Sequence, residues 1–139
     1  MSTYVREKVL RIPVSQVDYS SIRDQLLLKY ADPYDDLEYY LEEEYPHLFE
    51  YATVGKFQMS PTVERYLDYV LEYEWDCDGS WGKVRDLTDA EREKYAPIFQ
   101  QIDKNIDMNY VKLVEFCWYN STEAPDYYDI IKDSFYEEV

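Results

Sequence analysis

Glycine, cysteine, histidine and positive charge are all scarce in this chain. Only three glycines occur in 139 residues, and they compose neither a Walker sequence nor a dinucleotide fingerprint, which excludes glycine-cradled phosphate binding. The single histidine, His47, follows Pro46 in YPHLF. No nucleophile-elbow sequence accompanies it, and a structural or incidental role for His47 is expected over a serine triad. Pairing His47 with Cys77 or Cys117 for thiol chemistry has no support beyond the presence of the three residues. The two cysteines permit one disulfide and lack the spacing of a structural zinc site. No stretch reaches the roughly 20 apolar residues of a membrane helix, and MSTYVREKVLRIPV lacks the apolar core of a signal peptide. A cytoplasmic location is therefore expected, of a host cell if a virus or mobile element carries the chain, and Asn120-Ser121-Thr122 is read as a coincidental glycosylation match.

What the chain has in abundance is acid. Thirty Asp and Glu face 14 Lys and Arg, for a formal net charge of −16, and a field of that sign opposes direct contact with nucleic acid or an anionic membrane. The excess is concentrated: residues 32–82 hold fourteen acids and two bases. Acidic composition often means disorder, but such segments are poor in aromatics, and this chain has 17 Tyr, five Phe and three Trp. A folded domain with amphipathic rings is the better reading. At this length one compact domain is expected, as a monomer or homodimer.

Apolar periodicity predicts an α+β fold, several helices packed with a small antiparallel sheet. Residues 4–14 read as a strand in which Pro13 marks the end or an edge, and 110–119 as the clearest strand, apolar on both faces, interior to the sheet and partnered with the first. Helices are expected from Asp18 or Ser20 to Tyr30, over 33–45 behind Asp32-Pro33, over Pro61–Asp76, and over 126–136. Thr88-x-x-Glu91 is a capping box for a helix running to about Gln101. Phe49–Met59 suits a short strand or link with a bend at Gly55.

The segment PTVERYLDYVLEYEWDCD carries the functional expectation. Val63, Tyr66, Leu67, Val70 and Leu71 recur at helical period, which leaves Glu64, Asp68 and Glu72 in a ladder on another face. Like charges at that spacing do not stabilise a helix, so the row is read as a binding surface, with Tyr69, Tyr73, Trp75, Asp76 and Trp81 alongside and Asp35, Glu38 and Glu42 as a second row. Helical i,i+4 positions lie about 5–6 Å apart, close to the roughly 6–7 Å between phosphates along one DNA strand. The expected partner is a basic protein that handles nucleic acid. Asp76-x-Asp78-Gly79-Ser80 departs from the calcium-loop pattern, and no metal, cofactor or catalytic residue is expected. In composition and size, though not residue by residue, the chain resembles the small acidic proteins with which phages and mobile elements inhibit restriction or CRISPR nucleases. That resemblance implies a partner class. A non-mimetic adaptor and a small enzyme using carboxylates are the alternatives.

Overall fold

The computed structural model describes residues 3–18, 42–59, 66–75, 81–120 and 136–138. Strand β1 (Thr3–Pro13) runs through the middle of a six-stranded sheet. Its Val5, Val9, Leu10 and Ile12 are fully buried, as suits branched side chains between two pleated neighbours. Pro13, with no N–H to donate, stands at its last position. Strands β3 (Tyr66–Trp75) and β5 (Lys112–Asn120) pair antiparallel with it on either side. Beyond β3 lies β2 (Phe57–Met59), and beyond β5 lies β4 (Trp81–Asp86), both antiparallel. The short β6 (Tyr136–Glu138) closes the order β2-β3-β1-β5-β4-β6 by pairing parallel with β4.

Both strands expected from the sequence form, and they pair as expected. The balance of helix and sheet is reversed. A mostly antiparallel sheet is the framework, and α1 (Asp89–Phe99) is, among the described residues, the one helix longer than a turn. The capping box at its start is complete: Glu91 N–H donates to Thr88 Oγ1 at 3.2 Å, and Thr88 N–H donates to Glu91 Oε1 at 2.9 Å. The helix expected over 61–76 is corrected most sharply, because its described part, Tyr66–Trp75, is β3. Of the helices expected over 18–30, 33–45 and 126–136, most positions lie outside the described residues; Glu42–Glu44 are helical and Tyr136 opens β6.

The register explains why β3 imitates a helix. Lys8 pairs with Glu72 and Val9 with Val70, which leaves Leu71 as the extra residue of a β-bulge. Strand side chains alternate faces, so one inserted residue exchanges the faces of everything beyond it. Leu67, opposite Ile12, and Val70, opposite Val9, lie on opposite faces by ordinary alternation, although their spacing of three mimics one side of a helix. Both faces are buried here, so apolar residues were required at each.

One face supports the larger core. Leu10, Ile12, Leu67, Phe57 and Met59 pack with Leu87, Phe99, Ile102, Met108 and Val111. Phe99 anchors α1 through an edge contact with Phe57, 5.5 Å between ring centres, a geometry that adds about 0.5–1.5 kcal/mol beyond area burial. On the opposite face, register aligns Val70, Val9, Val114 and Val84 in one row across four strands, completed by Val5, Phe116 and Tyr73. Cross-strand pairs of this kind contribute roughly 0.2–1 kcal/mol each.

Candidate partner-binding surface

One rung from the valine row, on the face of the larger core, the same register aligns Glu72, Lys8, Glu115 and Lys83 across β3, β1, β5 and β4. The signs alternate, and opposite charges facing each other across strands are favourable. Arg6 stands above that rung and gathers three carboxylates, at 3.5 Å from Glu72, 3.2 Å from Glu74 and 3.2 Å from Glu115. Lys8 reaches Glu72 at 3.7 Å. The Glu72 carboxyl is held below its ordinary range by the hydrogen bond from Arg6, opposed by desolvation and aided by the charges of Arg6 and Lys8. Strand geometry puts Glu72 and Glu74, two positions apart, about 6.5–7 Å from each other. That is a phosphate-like interval, but both acids are shared by one guanidinium.

The expected ladder of Glu64, Asp68 and Glu72 is not a row. Glu64 lies outside the described residues, and the Leu71 bulge sends Asp68 and Glu72 to opposite faces. Asp68 is fully buried and takes two hydrogen bonds from Arg11, 2.8 Å from Nε and 2.9 Å from Nη2. The Arg11 guanidinium is itself covered by the rings of Tyr66 at 4.9 Å and Phe116 at 5.3 Å. Asp68 is therefore an interior counter-ion. Tyr69 also turns inward, edge-on to Phe57 at 5.1 Å in the larger core.

Glu72, Tyr73 and Trp75 all lie at one end of β3, but Tyr73 and Trp75 share one face of the sheet while Glu72 stands on the other. Trp75 is 56% exposed and meets Tyr73 edge-on at 6.0 Å. Desolvation, with the nearby Glu7 charge second, pushes the Tyr73 phenol up to about 12, so it is a neutral hydroxyl throughout the physiological range. Trp81 begins β4 opposite Cys117. Glu42 belongs to a helical turn with Glu43 and Glu44, whereas Asp35, Glu38 and Asp76 lie outside the described residues. Cys117 is buried and stands in a disulfide, so it offers no thiolate to His47. Among the described residues no cluster of His, Cys, Asp or Glu is placed to hold a metal, and no helix is long and apolar enough to cross a membrane.

Several of the described cations are held by carboxylates of the same chain. Besides Arg6, Lys8 and Arg11, Arg85 forms a forked pair with Glu91 at 2.7 and 2.8 Å, Arg92 pairs with Asp89, and Lys112 with Asp86. The acids exposed to solvent include Glu43, Glu44, Glu50, Glu74, Glu93 and Asp107.

Two arrangements escaped the sequence reading. One is the Arg6 hub, whose signal was the Arg6-Glu7-Lys8 run of β1 with Glu115 of β5, legible only once their register is known. The other is a buried relay: Gln58 donates to Glu7 Oε1 at 2.8 Å, while Gln58 Oε1 accepts the Ala52 N–H at 2.7 Å. No family model, curated protein or solved structure matches this chain, so its function is argued from its own surface.

Proposed function

We propose that this chain is an acidic binding domain that occupies a basic nucleic-acid-handling protein, such as a nuclease, by offering carboxylates where that protein receives phosphates. The observation that carries the reading is the asymmetry of pairing. Arg6, Lys8, Arg11, Arg85, Arg92 and Lys112 are each tied to a carboxylate, while the chain retains a net charge of −16. A basic cleft therefore meets a predominantly negative field, which accelerates association and selects against anionic partners. The same field disfavours direct nucleic-acid or membrane binding. Exposed Trp75 and Tyr110 favour a second reading, a non-mimetic adaptor held mainly by aromatic anchors.

The two readings diverge under competition. The protein, immobilised and used to capture partners from its native cell, should release a mimicked partner to added DNA or RNA, with affinity falling steeply as salt rises. Reversing Glu43, Glu44, Glu50 and Glu93 together should weaken that binding. These exposed acids replace the row centred on Asp68, whose reversal would set a lysine against Arg11 in the interior. A saturable partner retained in excess nucleic acid and indifferent to the quadruple reversal would establish the adaptor instead.

A further inference from the structure

The loop between Phe49 and Phe57 is far more constrained than a connection of its length requires. Its ends are tied by Phe57 N–H donating to the Leu48 carbonyl at 2.7 Å and Glu50 N–H donating to the Phe57 carbonyl at 3.1 Å. Gly55 N–H donates to the Val70 carbonyl at 2.9 Å, and Lys56 Nζ donates to the His47 carbonyl at 2.7 Å. Compact loops with joined ends are frequent carriers of function. Within this one, Ala52 holds φ at 56° without being a glycine, a conformation that persists only where the surroundings enforce it. Here the enforcement comes from the sheet interior: Glu7, 2% exposed, orients Gln58, also 2% exposed, whose carbonyl holds the Ala52 N–H. The relay satisfies the Ala52 N–H from the sheet interior. It is a route to a fixed shape. What that shape displays is apolar: Tyr51 is 45% exposed and Val54 55% exposed. The chain on the N-terminal side supplies Glu42, Glu43, Glu44 and Glu50.

We propose that this loop is the chain's contact element, held in shape by the Glu7–Gln58–Ala52 relay, and that it receives a basic peptide segment whose apolar side chains pack on Tyr51 and Val54. The inference rests on the reading of the chain as a binder of basic proteins and adds the location and composition of the contact. Acid on the approach selects cations, and the rigid apolar pair selects among basic segments, so a segment carrying both kinds of side chain binds more tightly than a purely cationic one of equal charge.

The test is an NMR titration of the isotopically labelled full chain with two synthetic 16-residue peptides of equal charge. One alternates Arg with Leu, and the other alternates Arg with Ser. Saturable shifts confined to the amides of residues 42–58, with the Leu peptide at least fivefold tighter, are the expected result. A Tyr51→Ala, Val54→Ala variant should bind the Leu peptide at least tenfold more weakly with an unchanged melting temperature, while Trp75→Ala binds as the parent does. Gln58→Met should weaken the Leu peptide without altering the response of the sheet amides. Saturable shifts centred elsewhere, or equal affinity for both peptides, overturn the loop assignment and leave the acidic binding function standing. Absence of any saturable shift overturns that function together with the assignment.

Discussion

Removing the Asp68 carboxylate gives the most direct check on the interior. Arg11 is 5% exposed and Asp68 fully buried, and the two are joined by parallel hydrogen bonds of 2.8 and 2.9 Å. Asp68→Ala leaves the guanidinium between Tyr66 and Phe116 without this counter-ion. Breaking a buried pair from one side costs about 3–5 kcal/mol, against a total stability of roughly 5–15 kcal/mol for a domain. At this chain length each kcal/mol corresponds to about 3–5 °C in melting temperature, so a fall of roughly 10–20 °C is expected. Arg11→Met should be similarly harmful. The double variant Arg11→Met, Asp68→Leu should lose about 2–3 kcal/mol less than the sum of the singles, because it removes both charges of the pair together. Urea unfolding of the four proteins measures the cycle. Additivity within about 0.5 kcal/mol, or a loss below about 1 kcal/mol for Asp68→Ala, would refute the argument that this pair is an interior counter-ion.

Glu91 gives a pH-dependent prediction. The Arg85 hydrogen bonds and the Thr88 cap hold its carboxyl at about 2 in the folded chain, below the ordinary 4.5. A depressed folded value means the contribution is complete above about 4.5 and is lost as pH falls toward 2. The melting-temperature gap between the parent and Glu91→Gln should therefore close over that window, and a gap constant from pH 6 to 2.5 would contradict it. Gly55 stands at φ 84°, and a Cβ there would meet nothing closer than the Tyr69 hydroxyl at 3.9 Å. Gly55→Ala should accordingly cost about 1–2 kcal/mol of unfolding free energy through the backbone alone, read from the same urea curves, with no loss of Tyr69 packing.

How much of the fold was legible depended on whether a segment's pattern was local. The capping box at Thr88 and Glu91 is complete within four residues, and it formed as expected. Strands β1 and β5 were legible because neither carries a bulge in its pairing with the other: Thr3 to Arg11 matches Asn120 to Lys112 residue for residue. β3 was not legible, since the Leu71 insertion is defined only relative to β1. A strand with one insertion and two buried faces has no period of two, and what remains resembles a period of three to four.

The same dependence on register governs the site. Counted along the chain, Asp68, Glu72 and Glu74 are three equivalent acids in the most acidic third of the sequence. Placed in the sheet, Asp68 balances Arg11 in the interior, while Glu72 and Glu74 balance Arg6 at the surface. The basic residues of β1, more than sixty positions away in some pairs, decide the fate of each acid. Surface acidity is thus what remains after the sheet has been assembled, and helix-like spacing within β3 carries no information about it. Glu43, Glu44 and Glu50, beside the 49–57 loop, are exposed to solvent. That is the physical reason to look for the contact beside Glu50, Tyr51 and Val54, where the backbone is fixed by the core and the neighbouring acids face outward.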